Sequence, residues 1–127
     1  DGSNILVGIV DSSFDVNNPE FRDETGKSRL SADLRSGESK NIHGSLVAEI
    51  VGGRTMGIAP NVKILGAPAG MVCSNGEDRC IKTDLDMYIK LYDKGARIYN
   101  QSFGTEAISI TNAGKSNFSL LNSLNKF

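Results

Sequence analysis

Ile5-Leu6-Val7-Gly8-Ile9-Val10, followed by Asp11-Ser12-Ser13, decides how the rest of this chain is read. The apolar run has no polar break, is rich in β-branched residues and is too short for a typical helix. Without alternation of polar and apolar positions, it predicts a central parallel strand covered on both faces. Asp11-Ser12-Ser13 ends that strand, and Asn17-Asn18-Pro19 marks a turn beyond it.

Working outward, Val62-Lys63-Ile64-Leu65-Gly66-Ala67 and Ala96-Arg97-Ile98-Tyr99-Asn100 read as two further strands. Between the first two strands, Leu46, Val47, Ile50 and Val51 are apolar at helical spacing, with Gly52-Gly53 as a stop. A short buried helix is expected there, with His43 at or just before its start. Gly57-Ile58-Ala59-Pro60 reads as a turn. A second helix is expected to open at Thr83, which can cap it, with Asp84 and Asp86 at the positive end of its dipole. Leu85, Tyr88, Ile89 and Tyr92 form its apolar stripe, and Gly95 suits a left-handed C-cap. Residues 22 to 42 are polar and mixed in charge, and read as a surface excursion with room for short edge strands. Beyond Gly104, Ile108–Ile110 fits either a short strand or a loop, and Asn117–Lys126 fits a helix. Strand, helix, strand, helix, strand is the order of an α/β protein with a parallel sheet.

Composition narrows the function classes. A length of 127 residues suits one domain, and the 39% apolar and 23% charged content is that of a soluble globular protein. A net charge of −1 and the absence of tryptophan offer nucleic acid neither attraction nor stacking platforms, so no nucleic-acid partner is expected. No apolar run is long enough to span a bilayer, and Asp1-Gly2-Ser3-Asn4 is not a signal peptide. Cys73 and Cys80 flank a turn-forming segment; they read either as two free thiols in a loop or as a local disulfide. Zinc is not expected, because a structural site needs four ligands and the single histidine is distant in sequence.

In open α/β sheets, ligands bind beyond the carboxyl ends of the strands. Asp11 ends the first strand, Ser102 follows the third, and His43 opens a helix. These residues sit in segments that resemble the motifs of the subtilisin-like serine proteases. Val7-Gly8-Ile9-Val10-Asp11-Ser12 resembles their aspartate motif, and His43-Gly44-Ser45-Leu46-Val47-Ala48 their histidine motif. Gly57-Ile58-Ala59-Pro60-Asn61-Val62-Lys63-Ile64 is similar to the segment leading into the next strand. Ile98-Tyr99-Asn100-Gln101-Ser102-Phe103-Gly104 is similar to the strand lining the substrate cleft. Four such motifs occur in order between Ile5 and Gly104.

The resemblance implies a three-layer α/β subtilisin-like fold with a parallel sheet, of which residues 1–127 are expected to supply the N-terminal portion. It implies a serine endopeptidase acting on polypeptides, secreted or held at the cell surface. His43 would be the general base of an Asp-His-Ser triad and Asp11 its orienter. Ser102, Phe103 and Gly104 would bind substrate by pairing with an extended peptide. The histidine motif's Gly44 would allow chains to approach closely. No cofactor is expected. Calcium is a known companion of the family, but Asp23-Glu24 and Glu77-Asp78 read as solvated loops.

The chain departs from the family pattern in several places. Ser13 stands where a glycine is usual after the aspartate, and in the histidine motif Ser45, Leu46 and Glu49 replace threonine, histidine and glycine. After Gly104, Ser109, Ser116, Ser119 and Ser123 lack the glycine-flanked setting of a nucleophile, and no oxyanion asparagine is recognisable. The chain is therefore expected to be inactive alone, and to self-associate or pair with a missing C-terminal part through its exposed sheet. The alternatives are a non-catalytic peptide-binding half and a phosphate-accepting α/β domain. The latter wants further carboxylates for magnesium where Ser12 and Ser13 stand.

Overall fold

A computed structural model of the chain describes residues 1–32, 42–68 and 86–102. The expectations for Cys73 and Cys80, the Thr83 cap, Ile108–Ile110 and Asn117–Lys126 lie outside the described residues. The elements are β1 (Leu6–Asp11), β2 (Leu30–Ala32), α1 (His43–Gly52), β3 (Lys63–Pro68), a helix over residues 86–93 (α2), and β4 (Ile98–Gln101). The strands form one parallel sheet in the order β2-β3-β1-β4. β1 is therefore central, as its unbroken apolar run requires.

Strand side chains alternate between faces, and both faces of this sheet are covered. Val7, Ile9, Val62 and Ile64 join Val47 and Ala48 of α1 in one buried cluster, with Phe14, Phe21 and Leu30. Val10, Leu65 and Ala67 join Leu91 of α2 and Ala96 in a second cluster on the opposite face. The result is a three-layer α/β structure. At Gly66 a Cβ would lie 2.7 Å from the Phe14 ring, so only a glycine lets that ring seat on β3. No helix among the described residues is long and apolar enough to cross a membrane.

Two local expectations are corrected. The helix stripe of Leu46, Val47, Ile50 and Val51 is only partly buried: Leu46 is 48% and Ile50 62% exposed. The face of α1 turned inward is instead built from Gly44, Ser45, Val47, Ala48 and Gly52. Small residues there let the helix axis come close, and a Cβ on Gly52 would lie 2.5 Å from Val62 Cγ1. On α2, Leu91 fills the core at 2% exposed, whereas Tyr92 is exposed with the Arg97 guanidinium 3.8 Å from its ring centroid. Gly95 does close α2 with φ of +100°, its N–H donating to the Tyr92 carbonyl.

The excursion after residue 21 is more anchored than its polarity suggested. Phe21 and Leu30 are buried, and β2 is an edge strand on β3. The Arg29 guanidinium donates to the Val62 and Glu20 carbonyls. The Glu20 carboxylate accepts from the Thr55 N–H at 2.9 Å and the Thr55 hydroxyl at 2.7 Å, tying the segment just before the excursion to the turn after α1. Those two donors, the backbone N–H first, hold the Glu20 carboxyl below the usual glutamate range. A depressed folded-state pKa contributes stability above the unfolded pKa, and that contribution disappears as pH falls through the folded value. Glu20→Gln is therefore expected to destabilise the chain at neutral pH. The gap from wild type should close as pH drops below about 4, near the unfolded glutamate value, as read by urea denaturation across a pH series.

Candidate active site

The alternation that sends Val7 and Ile9 toward α1 sends Asp11 to the same side, at the carboxyl end of the central strand. α1 begins with His43, and its N-cap residue, Ile42, has no side chain able to accept a hydrogen bond. That end of the helix is held by the loop after β1. The Gly44 N–H donates to Ser12 Oγ at 3.1 Å, and the Asp15 N–H donates to Ser45 Oγ at 2.8 Å. Gly44 itself packs so closely that a Cβ would lie 2.6 Å from the Ser13 carbonyl oxygen and 3.2 Å from Asp11 Cβ.

This approach brings the two sequence-predicted residues together. His43 Nδ1 lies 2.8 Å from Asp11 Oδ1. The Ser12 N–H donates to the same oxygen at 2.6 Å. Asp11 is 2% exposed, while the His43 side chain is 49% exposed. An ionised carboxylate can only accept, so this contact sets Nδ1 as the ring nitrogen that carries hydrogen. The other carboxylate oxygen, Oδ2, is buried and has no hydrogen-bond partner among the described residues.

Val10 pairs with Gln101, so Ser102 follows β4 at the same edge of the sheet where Asp11 ends β1. Ser102 is exposed, and its hydroxyl donates to Asn100 Oδ1 at 2.8 Å. Phe103 and Gly104 lie outside the described residues. Ser12 and Ser45 were noted in the sequence only as motif positions; their place between the strand and the helix joins residues about 30 apart in sequence, which no local pattern reveals. Glu49 is half-buried and accepts from Asn18 Nδ2 at 2.5 Å. Asp23 Oδ1 is occupied by the Thr25 N–H and hydroxyl and the Lys27 N–H, as in a solvated loop. Among the described residues, no group of three or more His, Cys, Asp or Glu side chains is placed to hold a metal ion.

The profile of the subtilase family matches residues 2–126. The chain belongs to the subtilase family. A subtilisin-like protease of Coccidioides posadasii (strain C735) is 32% identical over 91 residues, which is 70% of this chain and 23% of that relative. The Clostridium perfringens CspB protease superposes with a TM-score of 0.70 at 18% identity, over 99% of this chain and 34% of its own. A cold adapted subtilisin-like serine proteinase superposes with a TM-score of 0.53 at 21% identity, over 96% of this chain and 46% of its own. At these identities the two structural likenesses speak to the fold. This subtilase chain spans less than half the length of each of these relatives.

The tight seat of Gly44 is open to direct measurement. Gly44→Ala is expected to lower stability by about 1–3 kcal/mol, the range for forcing a methyl group into a packed contact. A wild-type urea midpoint would show that the helix end can shift freely.

Proposed function

We propose that this chain supplies the aspartate and histidine of a serine endopeptidase, with His43 as general base and Asp11 as its orienter. The single observation that carries this reading is the 2.8 Å contact between His43 Nδ1 and Asp11 Oδ1 at the carboxyl end of the central strand. Membership of the subtilase family supports the same chemistry. With Nδ1–H donating to Asp11, the lone pair of His43 lies on Nε2. There it can take the proton of an attacking serine hydroxyl and return it to the leaving amine. Asp11 holds the ring in that tautomer and stabilises the imidazolium formed during attack. Half-exposure of the ring leaves room for reacting groups to approach it.

The serine and the oxyanion donors belong, in this reading, to polypeptide of the parent enzyme beyond the motifs found here. Residues 1–127 are then part of one catalytic domain and do not turn over peptide by themselves. Ser102, Phe103 and Gly104 are proposed to bind the substrate backbone as an added strand; the exposure of Ser102 at the sheet edge supports this. The parent is further proposed to act outside the cell or at its surface, which fractionation of the producing cells would test.

The test is hydrolysis of an unstructured polypeptide by the parent-length enzyme. His43→Ala is expected to lower kcat by a factor on the order of 10⁴ or more, and the 127-residue chain alone is expected to give no turnover. An unchanged rate in the His43→Ala enzyme would sink the proposal. Peptide binding without turnover by the parent would instead favour a non-catalytic binding half.

We also propose that an exposed apolar row on this chain is a contact surface for the rest of the parent domain, and that the isolated chain self-associates through it. Ile42, Leu46 and Ile50 lie along α1 at 63%, 48% and 62% exposed, and Ile58, 83% exposed, is joined to the Ile50 carbonyl by its N–H. A row of this kind is unusual on a soluble monomer. Sedimentation of the isolated chain should show association that rises with concentration and is weakened by Leu46→Lys with Ile50→Lys. A monomer throughout would refute self-association.

A further inference from the structure

We propose that Ser12 and Ser45 are positioning residues, whose reciprocal hydrogen bonds set the His43 ring on Asp11. The proposal rests on the protease reading for its purpose, while its geometry stands separately. The first amides of a helix have no partner within the helix. In α1 the residue that would ordinarily supply one, Ile42, cannot. Ser12, one residue after Asp11, fills that role from across the fold by accepting from Gly44, one residue after His43. Ser45, on the next position of the helix, accepts in return from Asp15 on the loop. Ser12 is 8% and Ser45 6% exposed, so water does not compete freely for either hydroxyl.

The two bonds bracket Ser13, whose carbonyl oxygen is the atom that Gly44 approaches. Packing alone resists compression at that point but not separation. The hydrogen bonds supply the opposing restraint. A helix sliding by one residue moves about 1.5 Å, and N–H···O bonds extend only to about 3.2 Å. A drift of a third of that step would already take the 2.8 Å contact between His43 and Asp11 out of range. The pair of Ser12 and Gly44 immediately follows the two residues in that contact, and the pair of Asp15 and Ser45 secures the same loop and helix a few residues further on, so both act close to where the tolerance is smallest.

His43 is the single histidine of the chain, so nitrogen-15 histidine labelling of the full 127-residue chain gives one imidazole to observe. The readout is the exchange rate of the proton on Nδ1, compared with amide protection along β1 and β3. Ser12→Ala and Ser45→Ala are each expected to speed Nδ1 proton exchange about five- to tenfold, the ratio corresponding to loss of one ordinary hydrogen bond. Strand protection should be unchanged, and Ser12→Thr, which keeps the hydroxyl, should retain the wild-type rate. Wild-type exchange in either folded alanine variant would overturn the proposal. Failure of both alanine variants to fold would also overturn it, because the bonds would then serve folding rather than ring placement. No turnover is measured, so this result is independent of whether the parent is a protease.

Discussion

A backbone hydrogen and a carbonyl oxygen, on segments far apart in sequence, must come nearly into contact before this site exists. Gly44 opens α1 against Ser13, and any side chain at Gly44 would press into that carbonyl. The loop is itself held from below: Phe14 is buried and lies on Gly66 of β3, which has no side chain to lift it. One glycine on the strand seats the loop, another on the helix lets α1 reach it. The pairing of Asp11 with His43 is the consequence.

Burial of Asp11 gives that pairing its chemical weight. A carboxylate removed from water is unfavourable unless hydrogen bonds replace its hydration, and bonds to an ionised group are stronger than neutral ones. Asp11 Oδ1 accepts from both the Ser12 N–H and the His43 ring. The strand end thus fixes the carboxylate, and the carboxylate fixes the ring. The ring remains half exposed at the rim of the sheet, so a buried carboxylate and an accessible imidazole are held side by side.

Two of the departures from the family pattern, Leu46 and Glu49, fall where the fold can absorb them, whereas Ser13 and Ser45 lie in the loop-to-helix junction itself. Leu46 lies on the outer side of α1, away from the strand contact. Glu49 has swung toward Asn18, next to the short helical turn Pro19–Phe21. Structural likeness at 18–21% identity is consistent with the same principle, since cores tolerate extensive substitution when volume and pattern are kept.

The sequence by itself determined the sheet: the apolar run ending at Val10 called for burial on two faces, and from Leu6 onward it is a central strand, with Ile5 left exposed before it. It also singled out Asp11 and His43 as candidates, because the aspartate ends that run and the histidine opens a helical pattern resembling the subtilase motif, and the fold brings the two side chains into contact. Local periodicity correctly placed Val47 inward but also put the exposed Leu46 and Ile50 on the buried side of α1, and it overlooked Leu91, because those outcomes depend on how closely each helix approaches the sheet. It gave no sign that Ser12 joins Gly44, that Ser45 joins Asp15, or that Glu20 clasps Thr55. Those contacts join segments about 30 or more residues apart, and only the folded chain brings them within bonding distance.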